Sequence, residues 1–224
     1  PGRETQRCDD WPARIVAIPI TSAPSAAVTA MENQYNRFDS ALRALPVDRT
    51  PIWFMRQAGR YLPEYREVRK KLSFDEMLAD GDVATEITLQ PIKRFDLDAA
   101  VIFSVIFTFL SGLDIPFNFA AGGPALEFHS SDPKERAKLS ARRIINNADK
   151  FAPFLQAIRQ TRTALPANKS VIGFAASPFT LLSYLIEGTT SKTHNRTRAY
   201  MMSDDRDFHS LMSAVADCTI EYLK

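Results

Sequence analysis

Cysteine is almost missing from this sequence: Cys8 and Cys218, near opposite ends of the chain, are its only two. Neither stands at the spacing from other ligand residues that a metal site requires. Chains with so few thiols suit a reducing compartment, where disulfides are rare. We therefore expect a cytoplasmic protein with no metal site.

A strong excess of charge and a long apolar run are also lacking. The formal net charge is +2, and no block of Lys and Arg is long enough to form a basic patch for nucleic acid or a membrane surface. The longest apolar stretch, Ala99 to Leu113, is broken by polar residues and falls short of the roughly 18 to 20 residues that span a bilayer. We expect the partner to be a small molecule or another copy of the chain.

The first 30 residues differ in composition from those that follow. They are rich in Ala, Ser, Thr and Pro, and their apolar part, Ile15–Ile20, is too short for a secretory signal. We expect residues 1–30 to be a disordered or non-native leader ahead of a natural start at Met31. Residues 31–224 are then expected to belong to one domain.

Strand-like and helix-like patterns alternate along the rest of the chain. Short apolar runs predict three buried strands, at Ile52–Met55, Leu97–Ser104 and Lys169–Ala175. Helical spacing is found at 36–45, 65–71, 82–94, 131–165, 181–187 and 196–224, the last with an interruption at 203–205. This alternation predicts a parallel α/β sheet with ligand chemistry at the carboxyl ends of the strands, although three strands do not close a barrel.

Three local features refine this outline. Ser73 and Glu76 have the spacing of a capping box, and Gly188 is placed to end a helix. Residues 105–119 stay apolar and aromatic, which is typical of core or pocket wall. Gly122-Gly123-Pro124 predicts a turn.

Two arginines follow the first predicted strand. Arg56 and Arg60 flank Gln57-Ala58-Gly59, which suits a loop because glycine adopts backbone angles closed to other residues. A guanidinium presents a planar fork of donors that matches a carboxylate or phosphate, so the pair could grip a polyanionic small molecule. The alternative is that both arginines form structural salt bridges with acids such as Glu64.

On these residues the chain resembles the uroporphyrinogen decarboxylase family, specifically its amino-terminal portion. The string from Arg56 to Tyr65, RQAGRYLPEY, is highly specific. The other matching segments are Asn36–Ala44, Pro46–Pro51, Thr88–Pro91, Leu97–Ser104, Ile172–Tyr184, Glu187-Gly188 and Ser191-Lys192. Together they run from about residue 33 to the end of the chain.

The resemblance implies a (β/α)8 TIM barrel, of which this chain would supply roughly the first three β/α units. The family is a group of carboxy-lyases of porphyrin and haem biosynthesis. They convert the four acetate side chains of uroporphyrinogen III to methyl groups, giving coproporphyrinogen III and CO2 without a metal or organic cofactor. A tetrapyrrole substrate and, for the complete protein, a homodimer follow from the same resemblance.

The resemblance also implies site residues. Arg56 and Arg60 would be catalytic and substrate-binding, the backbone of Gln57, Ala58 and Gly59 would line the pocket, and Tyr184 would contact the substrate near a reacting acetate. A cation that pairs with the departing carboxylate, and an anion that balances a protonated pyrrole, would both lower the barrier to loss of CO2.

The chain departs from the family pattern at Val105. Relatives carry an aspartate directly after the Phe-Ser of the second strand, where it accepts the pyrrole N–H groups and balances positive charge; here the sequence reads Phe103-Ser104-Val105. A valine does neither, and each lost charge-assisted hydrogen bond is worth roughly 1.5 to 3 kcal/mol. Asp114 is no stand-in because it belongs to a different loop. We expect the function of position 105 to be lost.

Two alternatives therefore stay open. One is a non-catalytic tetrapyrrole-binding pseudoenzyme that keeps the arginines. The other is a related barrel methyltransferase acting on corrinoid-linked methyl groups, an activity that typically uses zinc, for which no Cys/His ligand set is visible.

His129, His194 and His209 are interpreted as surface or packing residues. An open three-stranded sheet would expose apolar faces, which predicts aggregation or marginal stability for the chain alone.

Overall fold

The computed structural model describes residues 35–120 and 123–224. The expected leader at 1–30, the expected start at Met31 and Cys8 lie outside the described residues.

The described residues are mainly helical, with four short strands. The α-helices are α1 Arg37–Leu42, α2 Pro63–Lys71, α3 Phe74–Ala79, α4 Gly81–Arg94, α5 Thr108–Gly112, α6 Pro133–Arg136, α7 Ala141–Asn146, α8 Ala152–Ala164, α9 Pro178–Glu187, α10 Asn195–Ser203 and α11 Asp205–Leu223. The strands are β1 Ala99–Val101, β2 Phe117–Ala120, β3 Gly123–Leu126 and β4 Ser170–Ile172. A 3₁₀-helix, Ala148–Phe151, precedes α8.

The predicted helix boundaries are confirmed where the sequence carries capping signals. The Ser73 side chain accepts from the backbone N–H of Glu76, and the Glu76 carboxylate accepts from that of Ser73 at 2.7 Å, so the capping box forms. Helix α9 ends at Gly188, whose φ of +78° is the left-handed conformation that glycine adopts without strain. The predicted stretch 131–165 instead divides into α6, α7, the 3₁₀-helix and α8.

The second and third predicted strands are confirmed in shortened form as β1 and β4. They pair in parallel with the register Ala99↔Ser170, Ala100↔Val171 and Val101↔Ile172. Their carboxyl ends therefore open at the same edge of the sheet, as expected for an α/β arrangement.

The remaining strands differ from the prediction. Strands β2 and β3 form an antiparallel hairpin that the apolar pattern at 105–119 did not reveal. Of the turn expected at Gly122-Gly123-Pro124, Gly122 lies outside the described residues, and Gly123 and Pro124 begin β3. Ile52–Met55 forms no strand in the described part of the chain, and the side chain of Met55 is 78% exposed. The sheet that carries β1 therefore has two parallel strands rather than three.

The reason that Ile52 begins no strand is visible in its hydrogen bonds. Its carbonyl accepts from the backbone N–H of Asp98 at 2.8 Å, but its own N–H donates to the Asp98 carboxylate at 2.7 Å. The Asp98 side chain thus replaces the backbone acceptor that a regular strand pair would offer to Ile52 N–H. The run Ile52–Met55 therefore lies beside β1 without regular strand pairing. The same buried Asp98 carboxylate pairs with Arg37 and Arg49.

The core is divided into two clusters. The larger one gathers around α5, α9 and α11 and includes Phe109, Leu110, Leu182, Leu185 and Val215. The smaller one comprises Leu62, Tyr65, Met77 and Ile87 and lies under the segment that follows Arg60. Phe107, Phe109, Leu110 and Ile115 are buried, which confirms that the run after Ser104 is mainly core. Within the described ranges, no helix has both the length and the apolar character needed to cross a bilayer.

Candidate functional site

Arg56 and Arg60 lie on an exposed loop between Ile52–Met55 and α2, which we call the arginine loop (residues 56–60). Neither side chain forms an ion pair with any residue that the structure describes. Glu64, the acid that spacing suggested as a partner, pairs with Arg94 instead. The salt-bridge alternative with Glu64 is therefore wrong, and both guanidinium groups remain available to an anionic ligand.

Gln57, between the two arginines, is buried, with 2% of its surface exposed. Its side-chain Nε2 donates to the carbonyl of Ala99 in β1 at 3.0 Å, and its Oε1 accepts from the N–H of Phe54 at 3.2 Å. Its backbone carbonyl accepts from the Tyr61 hydroxyl. Gln57 thus fastens the loop to the sheet, a role that the sequence did not reveal.

The backbone of Ala58 and Gly59 is less engaged than that of Gln57. The Gly59 carbonyl accepts from Leu62 N–H at 3.0 Å, whereas the N–H groups of Ala58 and Gly59 have no acceptor among the described residues. With respect to the part of the chain that the structure describes, these two N–H groups and the two guanidinium groups without ion pairs form a strongly electropositive loop. Such a loop suits carboxylate oxygens.

The arginine loop rests on the residues that follow β1. Ala58 and Phe103 both pack against the smaller core cluster, and the rings of Tyr65 and Phe103 meet edge to face at 6.1 Å. Burial raises the pKa of the Tyr65 hydroxyl, which the positive charges of Arg69 and Arg60 partly oppose, so the hydroxyl stays neutral.

Thr88 of α4 fixes the turn that leaves β1. Its fully buried hydroxyl accepts from the N–H of Phe103 at 2.8 Å and donates to the Ala84 carbonyl at 2.7 Å. Thr88 belongs to the segment Thr88–Pro91 that carries part of the family resemblance. This motif, which had no assigned role, therefore holds the segment from Phe103 to Val105.

Val105 is half-buried and lines a cavity of about 570 Å³. This volume lies within the range of about 300 to 1,000 Å³ that is usual for small-molecule sites. The other walls include Phe103, Ser104, Thr108, Phe117 and Phe154, with Asp75, Asp114 and Lys150 as charged members.

Asp114 reaches the same cavity from the end of α5. Its carboxylate accepts hydrogen bonds from Lys150 and Arg143, and these bonds, together with the positive charges of the two groups, hold its pKa below the ordinary value. Asn147 also donates to it, at 3.2 Å. Because these groups already engage the carboxylate, Asp114 does not stand in for an aspartate at position 105, although the two residues line one cavity.

Tyr184 is half-buried on α9 and packs its ring edge to face against Phe107, with centroids 4.9 Å apart. Neither it nor Arg56 or Arg60 lines the cavity at Val105. The structure thus connects the arginine loop to the carboxyl end of β1 through Phe103, and places Tyr184 nearby through Phe107. It does not gather these residues around one enclosed pocket.

The three histidines are exposed, as predicted for His129, His194 and His209. Within residues 35–120 and 123–224, no group of three or more His, Cys, Asp or Glu side chains lies where it could hold a metal ion.

Comparison with known proteins gives a consistent set of relatives. The chain is 40% identical over 190 residues to a uroporphyrinogen decarboxylase from Roseiflexus sp., an alignment that covers 84% of this chain and 54% of the relative. It is 40% identical over 198 residues to a uroporphyrinogen decarboxylase from Acinetobacter baumannii, covering 88% of this chain and 54% of the relative. The chain spans about half the length of these curated relatives.

Among solved structures, the fold is similar to a methyltransferase from Methanosarcina mazei. The TM-score is 0.64 at 15% sequence identity, covering 83% of this chain and 53% of that one. An identity this low shows a shared fold only. The family model of uroporphyrinogen decarboxylase matches residues 33–224, a range that includes all the described residues. This chain belongs to the uroporphyrinogen decarboxylase family.

Proposed function

We propose that this chain is the amino-terminal portion of a uroporphyrinogen decarboxylase. In the complete protein, a cytoplasmic homodimer, it would help convert the four acetate side chains of uroporphyrinogen III to methyl groups. The observation that carries this proposal is the arginine loop, in which Arg56 and Arg60 form no ion pair, and the N–H groups of Ala58 and Gly59 find no acceptor, among the described residues. A polycarboxylate is the ligand class that such a loop recognises.

Loss of CO2 from a pyrrole acetate needs a ring that accepts the electrons of the breaking C–C bond. Protonation of the adjacent ring carbon makes the ring an acceptor, and loss of CO2 leaves an exocyclic methylene. A second proton then completes the methyl group while the ring carbon releases the proton it gained, so each side chain takes up one proton net and releases one CO2. Arg56 and Arg60 would orient the carboxylates, and Tyr184 would contact the substrate near the reacting acetate. These groups act by orientation and charge, without a cofactor.

Val105 favours a second candidate, a tetrapyrrole-binding protein without catalytic activity. The residue supplies no carboxylate to the cavity, and the nearby Asp114 is already bonded to Lys150 and Arg143. Binding through the arginine loop would survive this change, whereas the positive charge on a protonated pyrrole would have no counter-charge. A corrinoid-linked methyltransferase remains the third candidate, supported by the shared fold alone.

The test joins residues 31–224 to the carboxyl-terminal half of the Roseiflexus relative and measures decarboxylation of uroporphyrinogen under anaerobic conditions. We expect the Val105→Asp form to produce coproporphyrinogen and the Val105 form to be at least about a hundredfold slower, since one lost electrostatic contact to the transition state costs that much. Equal activity of the two forms would show that our account of position 105 is wrong.

Binding of the tetrapyrrole is common to the first two candidates, and binding measured together with activity separates them. We expect Arg56→Ala and Arg60→Ala to weaken binding of uroporphyrin about tenfold or more, because each removes charge-assisted hydrogen bonds to carboxylates. Arg159→Ala is the matched control, since Arg159 is also exposed but lies on α8. If both position-105 forms are inert yet bind uroporphyrin through the arginines, the non-catalytic candidate is the correct one.

A further inference from the structure

The side-chain amide of Gln57 is the feature of the arginine loop that ligand binding does not explain. It is the buried member of a segment whose two arginines are exposed. A buried amide is costly unless both of its ends are paired, and here both are: Nε2 donates to Ala99 at 3.0 Å and Oε1 accepts from Phe54 at 3.2 Å. The orientation of the amide follows from its partners, because only the nitrogen can donate to a carbonyl.

The two bonds join different parts of the chain. Ala99 lies in β1, the strand that leads to Phe103 and Val105, whereas Phe54 lies directly before the loop. The other hydrogen bonds of the loop to described residues join it to its neighbours along the chain: Gln57 N–H donates to the Phe54 carbonyl at 3.2 Å, Leu62 N–H to the Gly59 carbonyl at 3.0 Å, the Tyr61 hydroxyl to the Gln57 carbonyl, and the Arg66 guanidinium to the Arg60 carbonyl at 3.2 Å. None of these bonds reaches the sheet. The Gln57 amide is therefore its direct hydrogen-bonded link to the sheet.

We infer that the side chain of Gln57 is a positioning residue, which holds Arg56 and Arg60 at a fixed place relative to the carboxyl end of β1. The identity of the ligand, a polycarboxylate tetrapyrrole, rests on the proposed function. The hydrogen bonds of the Gln57 amide do not depend on it. The amide lies in the interior, so it acts through the arginines and not on the ligand. The Tyr61 hydroxyl, bonded to the Gln57 carbonyl, supports the same residue from the outer side.

If this inference is correct, removing the amide should disorder the arginine loop without an equal loss of overall stability. Without the amide, the guanidinium groups keep their charge but sample many positions, so binding must pay the entropy of ordering them. The two core clusters consist of hydrophobic side chains, so we expect them to stay packed when the amide is removed. A change at Gln57 should therefore loosen the arginine loop more than it loosens the rest of the molecule.

Limited proteolysis of the full 224-residue chain in dilute solution measures this directly, because trypsin cleaves after exposed arginines in mobile segments. Gln57→Met keeps the length of the side chain and removes both bonds; Gln57→Glu keeps the acceptor for Phe54 and loses the donor to Ala99. Gln90→Met is the matched control, since Gln90 is also buried, at 6% exposed, but bonds only to Glu86, at 3.4 Å. Mass spectrometry follows cleavage at Arg60 relative to Arg198, which is exposed on α10.

We expect Gln57→Met to raise the Arg60-to-Arg198 cleavage ratio about tenfold and Gln57→Glu to raise it at least as much, because a buried carboxylate would face the Ala99 carbonyl, whereas Gln90→Met should leave it unchanged. An unchanged ratio in Gln57→Met overturns the inference. So does an equal rise at both sites, which would mean that Gln57 stabilises the whole molecule and has no special relation to the loop.

Fluorescence titration with uroporphyrin on the same variants tests the ligand part. A roughly tenfold loss of affinity in Gln57→Met, with Gln90→Met unaffected, supports positioning. Unchanged affinity together with faster cleavage overturns it, because the loop would then bind equally well when loose. If neither the unmutated chain nor its fusion to the carboxyl-terminal half of the Roseiflexus relative binds uroporphyrin, the proposed function fails, and the cleavage ratio alone decides whether Gln57 holds the loop.

Discussion

At the scale of single residues, the charged groups divide into those bonded within the fold and those left for a ligand. Asp98, Asp114 and Asp207 each bond to at least one cation, whereas Arg56 and Arg60 pair with no acid in the described part of the chain. Paired surface charges contribute modestly to stability, and unpaired arginines on a fixed loop contribute nothing obvious to it. Their arrangement is better explained by recognition of an anion.

The pair between Arg136 and Asp207 gives a prediction about pH. Arg136 and the Tyr200 hydroxyl both donate to the Asp207 carboxylate and lower its pKa from 3.8 to about 2. Because the folded-state pKa is the lower one, the stabilisation is complete above the ordinary pKa and is lost as the pH falls toward 2. We expect Asp207→Asn to cost about 1 to 2 kcal/mol at neutral pH, the value of a partly exposed charged hydrogen bond, and progressively less in acid.

Urea unfolding of wild type and Asp207→Asn, from neutral pH down to pH 2.5, measures the difference in their free energies of unfolding. Asp149→Asn is the control, because Asp149 is exposed in the 3₁₀-helix and forms no ion pair with another described residue. If this difference in free energy of unfolding between wild type and Asp207→Asn stayed constant across the pH range, the hydrogen bonds to the Asp207 carboxylate would not be its cause.

Part of the site could be predicted at this scale and part could not. The string from Arg56 to Tyr65 indicated both arginines as ligand-binding candidates. The donors of a guanidinium group belong to the residue itself, so they can be recognised without knowing the tertiary structure. The role of the Gln57 amide was invisible because its acceptor lies 42 residues further along the chain. The spacing of Arg60 and Glu64 suggested a salt bridge, but Arg94, 30 residues from Glu64, takes that acid instead.

At the scale of elements, α4 and α8 are held together by a close approach at Gly81. A Cβ on Gly81 would lie 2.8 Å from the Pro153 carbonyl oxygen and 2.7 Å from Cδ of Gln156. Hydrogen bonds reinforce the contact, since both Gln156 and Gln160 donate to the Asp82 carboxylate, at 2.9 and 2.6 Å. The backbone oxygen cannot move away without displacing α8.

We therefore expect Gly81→Ala to lower the free energy of unfolding by about 1 to 3 kcal/mol, the usual cost of overpacking. Gly173→Ala is the matched control: Gly173 is exposed, and a Cβ there meets nothing within 4 Å. Its effect should stay within about 0.5 kcal/mol. Equal effects of the two substitutions, measured by chemical denaturation, would show that α4 and α8 do not need the close approach.

The strands show where pattern reading fails. The runs at β1 and β4 were predicted because β-branched and apolar residues cluster there, and parallel pairing buries such strands. Ile52–Met55 has the same composition, but a strand exists only through a partner, and the Asp98 side chain takes the N–H of Ile52. The β2–β3 hairpin was missed because Phe117 and Phe119 end a long apolar run, and their alternation with the exposed Asn118 is too short to indicate a strand by itself.

At the scale of the whole molecule, the apolar run beside β1 is the most exposed hydrophobic feature. Ile52, Trp53, Phe54 and Met55 are 43%, 39%, 60% and 78% exposed, with no charge among them. Consecutive apolar residues of high strand propensity next to a sheet edge favour association between chains. The fold as described therefore leaves a surface that another polypeptide segment should cover.

We expect the 224-residue chain to self-associate as its concentration rises, and the double substitution Phe54→Ser and Met55→Ser to reduce that association because it removes the two most exposed apolar groups of the run. Met202→Ser is the control: Met202 is 87% exposed but stands on α10, apart from the run. Light scattering against concentration distinguishes the three proteins.

If exposure alone caused association, the Met202 variant would reduce association as much as the double variant does. A soluble monomer that unfolds sharply and cooperatively would contradict the prediction. Suppression of association by the separately produced carboxyl-terminal half of the Roseiflexus relative would identify the kind of segment that covers the run.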